Sequence, residues 1–338
     1  MSSWVQGLPK FDLHVHLDGS MRPETVIELA QFLPPDRRFP PDFDLHKALT
    51  PPQRCTLEEY LQAFKITGAV LQSEETLERA AYELCEDAAR EDVIYMEIRF
   101  APLLHVKQGL FPNQVIESVL TGMRRAEETY PFRTSLIVCG LKHEPPERSI
   151  ETAQLGAEYR DAGVVGFDLA GPENGFPPAL HHEAIEIARR SGLHVTIHAG
   201  EGCCPAHIRE AIDLGAERIG HGVYLYQDPE TEKIVRERGI TLEVCPTSNL
   251  QISGVMNSYS EHPFKRYLDE GIPVTINTDN RLMSQIDVTH ELEQMIEAFS
   301  LSRDQVKDIL LNSASAAFVS EEVRELLRKQ VTQAFRLS

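Results

Sequence analysis

The sequence predicts an α/β fold, a (β/α)8 TIM barrel with a long helical insertion after its first strand. Three observations carry that expectation: eight short apolar runs rich in Val, Ile and Phe, helical segments between them, and polar side chains gathered where the runs end. The runs are FDLHVH (11–16), VIYMEIRFAP (93–102), TSLIVCGL (134–141), VVGFDLAG (164–171), HVTIHAG (194–200), RIGHG (218–222), TLEVCP (241–246) and PVTINTD (273–279). From the second onward they begin ~23 to ~40 residues apart, room for one crossover helix each. A doubly wound sheet fits the alternation too, but eight roughly regular units favour closure into a barrel.

The segments between the runs read as helices. SEETLERAAYELCEDAAR opens with Ser73 as N-cap and an acidic first turn, and SRDQVKDILLNSASAAF places Ser302 and Gln305 at capping-box spacing. The first connection, residues 17–92, is far longer than one crossover needs. It holds two proline-dense pieces, FLPPDRRFPPDF and LTPPQR, and then an apolar helical pattern at Leu57, Tyr60, Leu61 and Phe64. After the first strand of a barrel such an insertion sits over the mouth, either as a lid or as a helix packed on the wall. The expectation is one domain over residues 1–338, with 17–92 as the insertion.

A chain of 338 residues, 42% hydrophobic, can bury a large core. Its net charge of −19 argues against nucleic acid or an anionic membrane surface as partner, and against a highly phosphorylated substrate. The first residues lack a basic start and an apolar core, and no apolar run reaches the ~18 residues of a membrane span, so a cytoplasmic protein is expected. Six cysteines without a C-x-x-C pair indicate neither a disulfide framework nor a thiolate zinc knot. They read mostly as reduced core residues, with Cys203 and Cys204 set apart only because they follow a candidate site.

That site is drawn by the run ends. The first run ends in His14-Val15-His16, the fifth in His198 followed by Glu201, the sixth in His221 between two glycines, and the eighth in Asp279. Alternate strand residues lie about 7 Å apart on one face, so His14 and His16 can both turn toward one ion at ~2 Å. An isolated H-x-H means little, but a third imidazole from His198 and a carboxylate from Asp279 complete a set suited to hydrolytic zinc. Such an ion lowers the pKa of a bound water to about 7 and makes a nucleophile. Glu201 is then the candidate to manage protons, and His221 is either a further ligand or a base and anchor for the nucleophile. The cytidine-deaminase H-x-E with P-C-x-x-C, the H-E-x-x-H motif and a P-loop do not occur in the sequence. His182-Glu183 falls on an expected surface helix, with Glu186 where a second His would stand.

PKFDLHVHLDGSMRPETV, MEIRFAP, DLAGPENGF, HAGE, RIGHG, CPTSN and NTDN resemble, in order and spacing, the motifs of the adenosine deaminase family of the amidohydrolase superfamily. The resemblance runs from about Pro9 to the C-terminal helices. It implies a barrel with one zinc ion per chain, bound by His14, His16, His198 and Asp279, that hydrolyses the 6-amino group of a purine nucleoside. It gives Glu201 the protonation of purine N1, His221 the task of accepting or orienting the water's proton, and Asp279 a second task of holding the hydroxide in line. It also implies contacts from Gly171 to purine N3, from Asp18 and His16 to the substrate, and an apolar lid from Leu57, Tyr60, Leu61 and Phe64. Binuclear members of the superfamily carry a carboxylated Lys at the end of strand 4, where this chain reads Phe167-Asp168-Leu169-Ala170-Gly171, so one metal is expected.

One position departs from the family pattern: Asp279-Asn280-Arg281 stands where Asp-Asp-Pro is usual. The family contact at the second position is a hydrogen bond to purine N7, which only accepts. A carboxyl donates there only when protonated, whereas the NH2 of Asn280 donates at any pH. The expected substrates are adenosine and 2′-deoxyadenosine. The alternatives are adenine or another 6-aminopurine such as aminodeoxyfutalosine or N6-methyl-AMP, and, from a different class, a catalytically silent purine-binding barrel.

Overall fold

Each apolar run forms a strand, and almost every strand residue is buried on both faces, as a parallel sheet covered by helices requires. The computed structural model describes residues 4–337 except 41, 53 and 253. The strands are β1 (Lys10–His16), β2 (Val93–Phe100), β3 (Arg133–Leu141), β4 (Val164–Ala170), β5 (His194–Ala199), β6 (Arg218–His221), β7 (Thr241–Val244) and β8 (Val274–Ile276). They pair in parallel in sequence order from β1 to β8. The backbone then closes the ring: Asp279 N–H donates to His14 C=O at 2.8 Å and His16 N–H to Asp279 C=O at 2.7 Å. The (β/α)8 barrel expected from the sequence is present.

β8 is shorter than its run because side chains take over the ladder. Asn277 accepts from Leu13 N–H at 2.9 Å and donates to Val244 C=O at 3.2 Å, while Thr278 donates its hydroxyl to Asp12 at 2.6 Å. These bonds tie the end of the last strand to the first and the seventh and hold Asp279 at the barrel rim.

The capping signals read from the sequence are in place. Ser73 accepts from Thr76 N–H at the head of helix Glu74–Arg90, and Ser302 and Gln305 form a capping box on helix Arg303–Ala316. Among the described residues of 17–92 there are five helices, of which Glu74–Arg90 is the crossover packed beside β2. The first proline-dense piece is irregular, and Pro41 and Gln53, one in each piece, lie outside the described residues. The short helix Leu57–Tyr60 is tethered to the β7 side of the mouth, where Cys55 N–H donates to Gln251 C=O at 3.0 Å. Among the described residues no helix is long and apolar enough to cross a membrane.

The barrel interior carries charge. Arg99 on β2 reaches Asp168 on β4 at 2.9 Å and Glu243 on β7 at 3.0 Å, and all three are fully buried. Arg218 on β6 pairs with Glu97 and, at 2.6 Å, with the second oxygen of Glu243. Two guanidiniums and three carboxylates thus share one buried network whose lone pairs are largely satisfied.

Candidate active site

The C-terminal strand ends meet at one point. His14 directs Nδ1 to Glu243 at 2.8 Å, and His198 directs Nδ1 to Asp168 at 2.9 Å. A carboxylate accepts, so each imidazole spends its proton outward and leaves the Nε2 lone pair facing the centre. The Nε2 of His14 is buried and has no hydrogen-bond partner. His16 Nε2 lies 3.2 Å from His198 Nε2 and 3.4 Å from Asp279 Oδ1, and His14 Nε2 lies 3.5 Å from that same oxygen. Lone pairs crowded on one carboxylate in this way make a donor set that could hold a metal ion. One ligand atom from each of His14, His198, His221 and Asp279 lies within 4.8 Å of the other three.

Arg99 stands behind both supporting carboxylates. Burial alone would raise the Asp168 and Glu243 carboxyls, but the neighbouring His198 and Arg99 charges for the first, and Arg99 and Arg218 for the second, hold both well below the usual range. Asp279 is also buried, yet its place among His14, His16 and His221 holds its carboxyl well below the usual range. Ser248 donates to its outer oxygen at 2.5 Å. Asp279 and His221 both adopt left-handed backbone conformations, φ 59° and 66°, rare for side chains of this size.

Glu201 follows β5 on a loop drawn around another acid. Gly200, Glu201, Gly202 and Cys203 all donate their amides to the buried Glu173 carboxylate, at 2.6, 3.1, 3.3 and 3.3 Å. Four successive donors on one carboxylate fix the loop and with it Glu201. The Glu201 carboxyl is pushed up to about 8, first by burial and then by the Asp279 and Glu173 charges. It lies 3.7 Å from His221 Nε2. On the other side of that ring, Nδ1 is 3.1 Å from Asn249 Nδ2. Neither Glu173 nor Asn249 was singled out from the sequence, although each lies in a quoted motif, DLAGPENGF and CPTSN.

The same loop holds the two cysteines set apart in the sequence. Cys203 and Cys204 are joined as a disulfide between chain neighbours, with Cys204 left-handed at φ 60°. Cys55, Cys85, Cys139 and Cys245 are buried thiols, as expected.

A cavity of about 670 Å³ opens onto this cluster. It is lined by His16, Asp18, Gly171, His198, Glu201, His221, Asp279 and Asn280, and roofed by Leu57, Tyr60, Leu61 and Phe64. All four apolar positions of the insertion therefore face the mouth. Tyr60 adds a polar anchor that its apolar spacing did not suggest, since its hydroxyl lies 3.2 Å from Ser284 Oγ, which donates to Gln251 at 2.7 Å. Asp18 is buried with one oxygen unpartnered, and burial raises its carboxyl to about 7. Gly171 is left-handed at φ 93°, a position where a side chain is strained. The carboxamide oxygen of Asn280 packs against Gly19, where any Cβ would collide with it.

The likeness to known proteins agrees with this geometry. A family profile described as Adenosine deaminase matches residues 9–334. The adenosine deaminase of Clostridium perfringens is 44% identical over 327 residues, covering 96% of this chain and 98% of that relative. Among solved structures, the adenine deaminase from Arthrobacter aurescens matches with a TM-score of 0.89 at 25% identity, over 98% of this chain and 100% of the other. An amidohydrolase from Burkhoderia ambifaria, solved with bound Zn, matches with a TM-score of 0.89 at 26% identity, over 98% and 92%.

Proposed function

The chain belongs to the adenosine deaminase family, and from that membership we propose a zinc-dependent enzyme that hydrolyses adenosine and 2′-deoxyadenosine to inosine and 2′-deoxyinosine with release of ammonia. The observation that carries the reading is the placement of Glu201, buried 3.7 Å from His221 beside a cluster of three imidazoles and one carboxylate.

His14, His16, His198 and Asp279 would hold one zinc ion, which when bound supplies the acidified water that attacks the purine. Every other task falls to the chain's own side chains. Glu201, whose carboxyl is raised by burial, gives its proton to purine N1, and the positive charge drawn into the ring opens C6 to attack. His221 faces the incoming water, and Asp279 holds it in line. Gly171 N–H contacts N3, Asp18 takes a ribose hydroxyl, and the NH2 of Asn280 donates to N7. Leu57, Tyr60, Leu61 and Phe64 cover the base and exclude water, so the part of the 17–92 insertion that carries them acts as the lid of a single barrel domain.

The runner-up is adenine deamination, the activity named for the Arthrobacter aurescens relative. Asp18 favours the nucleoside, because its unpartnered oxygen is a ribose acceptor that a free base leaves unused. Purified protein with measured zinc content, assayed against adenosine, deoxyadenosine, adenine and AMP, separates the readings. We expect one zinc per chain, turnover of both nucleosides, and loss of turnover on chelation that zinc restores. A preference for adenine moves the assignment to the runner-up, and no turnover of any 6-aminopurine by a zinc-loaded sample overturns it.

Asn280→Ala tests the N7 contact. Loss of one hydrogen bond should lower kcat/KM for adenosine about five- to tenfold. The 7-deaza analogue, which has no N7 acceptor, should be insensitive to the substitution. Equal losses for both compounds would remove Asn280 from that role.

A further inference from the structure

His221 is held by a chain of hydrogen bonds whose direction can be read from one end. The Phe264 amide N–H donates to His262 Nδ1 at 3.0 Å. An amide N–H cannot accept, so His262 Nδ1 carries a lone pair, and in the neutral ring the proton sits on Nε2. Burial keeps that ring neutral, with its pKa pushed down to about 3. His262 Nε2 faces the Asn249 carboxamide oxygen at 3.4 Å, and the Asn249 NH2 faces His221 Nδ1 at 3.1 Å. Asn249 is fully buried, and its carboxamide can satisfy both rings only in this orientation.

We propose that Asn249 and His262 are positioning residues that hold His221 in its Nε2–H tautomer, so that His221 serves deamination as a hydrogen-bond donor to the attacking water's oxygen. The His221 Nε2 is buried, has no hydrogen-bond partner among the described residues and borders the cavity 3.7 Å from Glu201. A nitrogen already carrying a proton neither ligates a metal nor takes a proton from water. His221 therefore stands apart from His14 and His198, whose protons point outward to carboxylates. The water's proton is left to an acceptor that can take it, and the Asp279 carboxylate is the one at hand. This deepens the deaminase reading and rests on it for its effect on turnover, whereas the tautomer is observable without any substrate.

The test uses zinc-loaded enzyme labelled with 15N-histidine. Two-bond 1H–15N correlation spectra report which ring nitrogen bears the proton, and the His221 signals are identified by their loss in His221→Gln. The expected pattern is Nε2–H. In Asn249→Asp the new carboxylate accepts from Nδ1, so the pattern should invert to Nδ1–H. kcat for adenosine should fall about 100-fold or more, as misplaced tautomers do elsewhere, with KM within about threefold. His262→Gln, which can still donate to Asn249, should keep turnover within about threefold, while His262→Leu should lose about tenfold. The His262 pair keeps the proposal testable where Asn249→Asp fails to fold. An Nδ1–H pattern in the unsubstituted enzyme overturns it, as does inversion in Asn249→Asp without loss of kcat, or equal behaviour of His262→Gln and His262→Leu. Failure to turn over adenosine would instead count against the deaminase reading and leave the tautomer standing.

Discussion

Glu201→Gln is expected to lower kcat for adenosine by about 10²- to 10⁴-fold, the usual contribution of a proton-transferring group, while zinc content stays at the level of the unsubstituted enzyme. Gln keeps the shape and can donate a hydrogen bond to purine N1, but it cannot deliver a proton there. The buried, raised carboxyl of Glu201 is suited to that delivery at neutral pH. The sign of the pH effect follows. The acid must be protonated to act, its protonated fraction falls as pH rises, and so turnover falls on the alkaline side. A bound dication draws the carboxyl downward, so the alkaline limb should lie at or below the value of about 8 set by burial and the Asp279 and Glu173 charges. Glu201→Gln should lack that limb. Near-normal turnover by Glu201→Gln would remove Glu201 from the proton-donor role, and an alkaline limb persisting in the variant would assign the limb to another group.

Arg99→Met should cost about 3–5 kcal/mol of stability, read as a shift of the urea midpoint at constant slope. Asp168 and Glu243 are fully buried, and Arg99 is the cation that touches both. Methionine fills most of the volume but leaves the Asp168 carboxylate without its guanidinium and Glu243 with the Arg218 guanidinium in place of two. A loss of that size is a large fraction of the 5–15 kcal/mol that holds a typical domain together. Because the same carboxylates set the proton positions on His14 and His198, zinc should also bind more weakly, by about 10- to 100-fold. A midpoint unchanged within about 1 kcal/mol would mean that the imidazoles alone compensate the two carboxylates.

The eight strands were legible because a buried parallel strand must be a nearly continuous apolar run, and such runs survive in the sequence without any knowledge of neighbours. His14, His16, His198 and Asp279 were legible for a related reason: each ends a run, and the ends of barrel strands converge. What could not be read is the partner of each polar group. The Asn249–His262 chain, the four amides on Glu173 and the Arg99 fork join residues from separate strands and loops, and no periodicity encodes which carboxylate faces which imidazole. Tyr60 shows the same limit in a single residue. Its spacing announced an apolar helix face, while its hydroxyl found Ser284, which lies far along the chain. The cysteine expectation held for the four buried thiols, while the bond between Cys203 and Cys204 was not legible, because composition speaks for the average cysteine and not for two chain neighbours in one loop.

The barrel seam lies where β1 meets the end of β8, and the bond from Leu13 to Asn277 there spans 264 residues of chain. His14 and His16 stand on one lip of that seam and Asp279 on the other. During synthesis the histidines of the first strand therefore wait through most of the polypeptide before their carboxylate emerges, and a chain stopped short of residue 279 carries imidazoles with no partner to complete the set. Pairing ends so distant is the slow, entropically costly step of folding. An ion that binds only the closed ring favours closure by mass action. In this chain the ring of strands and the set of side chains at its mouth are completed together, when the eighth strand and the residues just after it are made.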